Sequence, residues 1–289
     1  MPFSIFQRTL KQSVSIDGTG LFSGRKIRMF LHPAEADSGL VFQTQGRRLE
    51  AKIDRVKKTF RTTSLGDGQV LLSTVEHLLA ALYAFGICNL FIEVEGPEVP
   101  ILDGSAKEFC RLIEQTGWAE LAAEREILKI EEPFYYRREK TLITALPFDG
   151  LRLSYLFHDP KLSFGTQFFT VDLDEKSFSE ALAPARTFSV FEEIKPLLDQ
   201  GLIKGGALES AVVIKEGRLL NPEGFRFPEE LARHKLLDLI GDLSLCGALI
   251  QGQITALCSG HAANTAFVRG LLQHMRKEHA SFAFNDSRN

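Results

Sequence analysis

Glu229-Glu230-Leu231-Ala232-Arg233-His234-Lys235-Leu236-Leu237-Asp238-Leu239-Ile240-Gly241-Asp242-Leu243 sets how the rest of the chain is read. At 100° per residue, His234, Lys235, Asp238 and Asp242 fall in one sector of a helix, and Leu236, Leu237, Leu239, Ile240 and Leu243 cover the other side. Such a helix buries a leucine face and presents a strip of acids and bases. His234 and Asp238 stand at i and i+4, one turn apart and close enough to share a metal ion. A polar face that only meets water has the same pattern, so the choice depends on the segments around it.

Upstream, Ser73-Thr74-Val75-Glu76-His77-Leu78-Leu79-Ala80-Ala81-Leu82-Tyr83-Ala84-Phe85-Gly86 is the first clear helix. Ser73 and Glu76 form a capping-box pattern, and Gly86 suits the position just past the end. Val75, Leu78, Leu79, Leu82 and Phe85 line one face; Glu76, His77, Ala80 and Ala84 line the other. Glu76 could simply cap and His77 simply pack, yet a Glu-His pair above a row of alanines leaves room for a ligand. A strand, Asn89 to Val94, follows, then Asp103-Gly104-Ser105-Ala106 and a helix over 105–113. Downstream of the opening segment, the strand Gln253 to Cys258 leads to Ser259-Gly260-His261-Ala262 and a final helix from about Thr265. Helix, strand, small-residue turn, helix thus occurs twice. The expectation is an α+β fold: two duplicated two-layer α/β sandwich domains facing each other, residues 1–123 and 124–289, with charged residues 119–126 at the boundary.

Residues 1 to about 60 read as strands and turns, with Ile16 to Gly24 a glycine-rich hairpin rather than a phosphate loop. The second half also carries a strand-helix-strand insert, about 186–215, rich in Phe188, Phe191, Ile194, Leu197, Leu198, Leu202 and Ile203. A surface loop does not need so many apolar residues, and a greasy groove would use them.

Composition narrows the function classes. A net charge of −3 and a pI near 6.2 argue against nucleic-acid binding, which favours a basic face. The apolar runs are short and broken by charge, so no membrane span is expected, and the first residues lack a signal-peptide core. Cys88, Cys110, Cys246 and Cys258 show no CxxC spacing and read as reduced thiols of a cytoplasmic protein.

The candidates together are Glu76, His77, His234, Lys235, Asp238, Asp242 and His261. Two histidines and one carboxylate make a three-ligand set with a position left for water on Zn²⁺, and the same set holds Fe(II) in oxygenases. Glu76, adjacent to His77, is placed like the general base of a metallohydrolase. Five segments in order then resemble the zinc-dependent UDP-3-O-acyl-N-acetylglucosamine deacetylases of lipid A biosynthesis: Ser73 to Leu78, Pro100 to Ala106, Ala185 to Phe188, Arg233 to Asp238 with Gly241-Asp242-Leu243, and Ser259 to Ala262. The resemblance runs from about Gln7 to beyond Phe267.

The resemblance implies one zinc ion per chain on His77, His234 and Asp238, with Fe²⁺ the alternative ion. It implies Glu76 as general base, His261 as general acid, Asp242 as the partner of His261, and Lys235 and Thr187 as substrate contacts near the reacting centre. Phe157 matches a position on the nucleotide side, and the insert carrying Phe188, Phe191, Ile194 and Leu198 matches the family's acyl passage. The expected partner is a nucleotide-sugar lipid precursor, handled by a cytoplasmic monomer without nucleic acid. Three positions depart from the family pattern: Phe22 where a histidine is usual, His158-Asp159-Pro160 where His-Pro is usual, and Cys258 where a basic residue is frequent.

Overall fold

The computed structural model describes residues 4–162 and 164–286, with side chains described to 276. Two principal sheets form it. The first contains β1 (Val14–Thr19), β2 (Lys26–Pro33), β3 (Leu40–Thr44), β4 (Arg47–Glu50) and β5 (Leu90–Glu95), in the order β1-β2-β5-β3-β4. The second contains β6 (Phe134–Arg138), β7 (Thr141–Leu146), β8 (Leu151–His158), β9 (Thr166–Asp172) and β12 (Leu249–Leu257), in the order β6-β7-β12-β8-β9. In each sheet two hairpins are joined by the last strand, which runs antiparallel to one hairpin and parallel to the other.

The chain between hairpins and last strand also follows one plan. In the first half a small three-stranded sheet spanning 56–72 precedes helix α1 (Glu76–Ala84), β5 and helix α2 (Lys107–Thr116). In the second half the insert holds β10 (Phe188–Val190), helix α3 (Phe191–Asp199) and β11 (Val212–Lys215), with β10 and β11 parallel. Helix α4 (Glu230–Ser244), β12 and helix α5 (His261–Asp286) follow. Strand Trp118–Glu124 pairs back with Phe6–Leu10, while Ile127–Lys129 pairs with β12. The expected α+β class is what the chain adopts.

Helix α1 forms because Ala and Leu dominate it, with no glycine, proline or β-branched residue inside. It ends in a Schellman motif: Ile87 N–H donates to Leu82 O, Gly86 N–H to Tyr83 O, and Gly86 takes φ +70°, which costs a glycine little. Its start differs from the sequence expectation. Ser73 and Glu76 form no capping box; Val75 caps without a side-chain bond, and the Glu76 carboxylate turns away to Thr62 and Thr63. Nor is space left over the alanines, because Ala80 and Ala84 are fully buried and α4 packs on α1. The last helix begins at His261, earlier than the expected Thr265, so His261 occupies its first turn.

One hydrophobic cluster runs through both halves, joining Leu78, Leu79 and Leu82 of α1 to Leu236, Leu239, Ile240 and Leu243 of α4. The two helices approach closely at Gly241, where an added Cβ would lie 2.1 Å from the Glu76 carbonyl oxygen. Alanine at 241 gains about 1 kcal/mol of helix propensity over glycine. The collision is with backbone in a packed interior, where overpacking costs about 1–3 kcal/mol. Gly241→Ala should therefore be net destabilising, read as a lower denaturant midpoint with unchanged slope; equal or greater stability would show that the helices separate freely.

Candidate active site

Glu76 and His77 open α1, His234, Lys235, Asp238 and Asp242 lie on α4, and His261 opens α5. The strip on α4 meets protein rather than water: His234, Asp238 and Asp242 are buried. His77 Nε2 stands 3.5 Å from Asp238 Oδ1 and His234 Nε2 3.3 Å from the same oxygen, with donor atoms of all three within 4.8 Å of one another. The two imidazoles meet edge-on, centroids 5.0 Å apart.

The protonation of this group favours a cation. His234 Nδ1 faces the Ala185 carbonyl at 3.1 Å and must be the donor there, because a carbonyl only accepts. Burial, offset only in part by Asp238, brings the His234 pKa down to about 3, so Nε2 carries a lone pair. Burial alone would raise Asp238, but Lys235, His234 and His261 hold its carboxylate well below its ordinary value. An imidazole lone pair and a carboxylate oxygen thus face each other at 3.3 Å with no proton between them. Tetrahedral coordination with bonds of about 2.0–2.1 Å sets ligand atoms about 3.3 Å apart, so the three side chains fit a small divalent cation. Lys235 is held charged by Asp238, whose Oδ2 accepts from its Nζ at 2.6 Å.

Glu76 lies on one side of this group. Its Oε2 accepts from the Thr62 hydroxyl at 3.2 Å and the Thr63 N–H at 3.1 Å, leaving Oε1 3.9 Å from His261 Nε2. Burial raises the Glu76 pKa, against the pull of His261 and His77. His261 Nδ1 donates to Asp242 Oδ2 at 2.9 Å. Although burial opposes the charge, Asp242 and Asp238 lift the His261 pKa to about 9. A carboxylate raised and an imidazole held cationic, 3.9 Å apart beside a lone-pair cluster, can exchange protons with a bound molecule in opposite directions.

Glu76, His77, His234, Lys235, Asp238 and His261 line a cavity of about 880 Å³. Thr187 lines it, as do Phe188, Phe191, Ile194 and Leu198 of the insert, whereas Leu202 of the same insert is half exposed. Phe157 is not among the lining residues; it packs edge-on against Phe188, centroids 5.3 Å apart. Phe22 adds to the apolar wall, its turn fixed by the buried Glu98 carboxylate, which accepts from the Phe22 and Ser23 N–H groups. His158 is exposed and bonded to Thr166, and Cys258 follows β12 at φ +49°.

Sequence reasoning missed several contributors. Tyr136, Arg138 and Glu139 at the tip of the β6–β7 hairpin line the cavity, although nothing in that short alternating segment marks them. Asn264 donates to Asp242 Oδ2 at 2.9 Å, and its spacing of three from His261 on one helix was a usable signal. Behind the site, the buried Arg186 and Glu230 pair at 2.9 Å, and Glu230 also accepts from the Arg186 and Arg226 N–H groups. That pair fixes the backbone between Ala185, which orients His234, and Thr187.

A two-histidine, one-carboxylate donor set beside a buried carboxylate and a cationic imidazole, in an α+β frame, fits a hydrolase of the metal-dependent class. Within that class the chain belongs to the UDP-3-O-acyl N-acetylglycosamine deacetylase (LpxC) family, whose model matches residues 7–273. It is 42% identical over 269 residues to a UDP-3-O-acyl-N-acetylglucosamine deacetylase of Nitratidesulfovibrio vulgaris, covering 92% of this chain and 87% of that protein. It is 40% identical over 273 residues to the Chlamydia pneumoniae protein of the same name, covering 92% and 97% respectively. An Anaeromyxobacter sp. protein of that name is 44% identical over 270 residues, 92% of this chain and 88% of the relative.

Deleting Glu230 leaves Arg186 with the exposed Glu223 as its carboxylate partner and strips the Arg186 and Arg226 N–H groups of their acceptor, and a buried unsatisfied donor costs about 1–3 kcal/mol. Glu230→Ala should lose stability on that scale in equilibrium unfolding. A loss near the about 0–1 kcal/mol of a surface pair would mean that Arg186 finds water.

Proposed function

We propose that this chain hydrolyses the acetamide of UDP-3-O-acyl-N-acetylglucosamine to acetate and UDP-3-O-acyl-glucosamine, the committed step of lipid A biosynthesis, using one Zn²⁺ held by His77, His234 and Asp238. The observation that carries the reading is the meeting of this donor set, Glu76 and His261 in an apolar-walled cavity. The names of the relatives supply the substrate.

Zinc, when bound, supplies Lewis-acid chemistry that polarises the acetamide carbonyl and eases deprotonation of water. The chain's own groups do the rest. Glu76 Oε1 takes the proton of the attacking water, whose oxygen bonds to the acetyl carbon. The Thr187 hydroxyl and the Lys235 ammonium face the charge that develops on the carbonyl oxygen. His261 Nε2 delivers a proton to the glucosamine nitrogen as the C–N bond breaks, while Asp242 stabilises its cationic form. Phe188, Phe191, Ile194 and Leu198 take the acyl chain, and Phe157 supports that wall through Phe188. Residues 1–123 and 124–289 act as two domains meeting at this site, a division favoured by their matching strand orders. On this reading the chain is a cytoplasmic monomer, and all four cysteines are free; among the described residues no helix is long and apolar enough to cross a membrane.

Metal analysis should find one zinc per chain, removable by chelator with loss of deacetylation and restored by added zinc. Full activity without metal would end the proposal, and iron in its place would correct only the ion. Glu76→Gln should keep the metal and lose about 10²–10⁴ in kcat, the usual worth of a positioned base. Loss of metal from that variant would make Glu76 a ligand instead.

The pH profile should be a bell. Activity rises as Glu76 deprotonates and falls as His261 loses its proton, below the value of about 9 because a nearby cation disfavours the imidazolium. His261→Ala should lack the descending limb.

Each buried CH₂ of the acyl chain contributes about 0.8 kcal/mol, so half of a long chain gives several kcal/mol. Part of that energy can orient the acetamide. A substrate without the acyl group should fall by at least about 10³ in kcat/KM, on the same per-methylene figure. Ile194→Asp should harm the acylated substrate far more than the bare one; equal hydrolysis of both by the unaltered enzyme would remove the acyl role.

A further inference from the structure

Thr62 and Thr63 lie in the loop between strands Val56–Lys58 and Ser64–Gly66, outside all three helices that carry the site. Both are buried, at 4% and 0% exposure. The Thr74 N–H donates to Thr62 Oγ1 at 2.9 Å, and that hydroxyl donates to Glu76 Oε2. The Thr63 N–H reaches the same carboxylate oxygen. On its other side the Thr63 hydroxyl donates to Asp242 Oδ1 at 2.5 Å. Asp242 is itself fully buried, and its second oxygen accepts from His261 and Asn264. Two adjacent residues therefore grip the carboxylate at the start of α1 and the carboxylate in the last turn of α4.

The arrangement selects which atoms remain free. With Oε2 of Glu76 committed to two donors, Oε1 is the oxygen left facing His261. With Oδ1 of Asp242 committed to Thr63, Oδ2 is left for the imidazole. A carboxylate without a donor on one oxygen can rotate about its terminal torsion, which is broad and nearly two-fold. A shift of about 1 Å in such a group can cost about 10²-fold in rate. We infer that Thr63, assisted by Thr62, is a positioning residue for the proposed deacetylation, fixing the base Glu76 and the acid's partner Asp242 relative to each other across α1 and α4. This rests on the proposed roles of Glu76, Asp242 and His261.

Thr63→Val keeps the shape and the backbone N–H but removes the donor to Asp242. On the zinc-loaded enzyme with acylated substrate, kcat should fall about 10–100-fold while KM and zinc content stay within about two-fold. Thr63→Ser, which keeps the hydroxyl, should restore kcat to within about three-fold of the parent. In an Asp242→Asn background the valine substitution should cost less than about two-fold, because residues acting through one another are not additive. Unchanged kcat in Thr63→Val, or a full additional loss in the Asp242→Asn background, overturns the inference. Should Thr63→Val fail to fold, Thr63→Ala against Thr63→Ser decides by the same comparison: a gap of about ten-fold in kcat supports the role and equality refutes it. If the parent enzyme itself hydrolyses no acetamide, the functional reading falls, and a crystal structure of Thr63→Val still decides the clamp, by an Asp242 carboxylate either turned or unmoved.

Discussion

The contact between α1 and α4 at Gly241 is the constraint on which the rest depends. Glycine there lets the two helix backbones touch, with no Cβ to hold them apart at Glu76. Only at that separation can His77, from the first half, come within 3.5 Å of a carboxylate on a helix of the second. Leucines on both helices bury the interface, so the same burial that stabilises the chain also excludes water from the polar strip. Exclusion of water in turn brings His234 down to about 3 and raises Glu76. Packing, protonation and cation fit are one chain of causes.

Desolvated charges are costly unless paired, and the second tier of residues supplies the pairing. Asp242 is met by Thr63, Asn264 and His261, Asp238 by Lys235, and Arg186 by Glu230. Thr63 is bonded in its turn to Glu76 and Glu230 to the Arg226 N–H, so Asp242 and Arg186 are each braced from more than one segment. Thr74, at φ +61°, is held in a conformation unusual for a β-branched residue at the turn that launches α1. Its N–H is tied to Thr62, which shows where the bracing carries that strain.

Much of this was legible in the sequence. The periodicity of Glu229 to Leu243 gave the helix and its polar strip, and the repeated helix-strand-turn-helix pattern gave the α+β class. Spacing alone paired His234 with Asp238, since one helix holds both. What escaped reading was whatever depends on contacts between distant segments. Glu76 looked like a helix cap because local pattern favours that use; its bonds to Thr62 and Thr63 come from a loop folded back over α1. The alanines of α1 looked like space because the partner that covers them lies some 150 residues away in sequence, on α4. Tyr136 and Arg138 were invisible because hairpin strands of that kind face many different surroundings.

The two halves place a small three-stranded sheet at the same point in their shared order of elements, just before the helix that enters the site. The segment at 56–72 supplies the threonines that hold Glu76 and Asp242, and the segment after Thr187 supplies the apolar wall. Small sheets at equivalent points of the chain thus serve two uses, one bracing buried carboxylates and one walling the cavity, though the first is all antiparallel and the second pairs two strands in parallel. Substitutions that reshape this wall fall in a segment of the chain separate from the one that steadies Glu76 and Asp242. The apolar wall can therefore change shape without disturbing the bonds that hold Glu76 and Asp242.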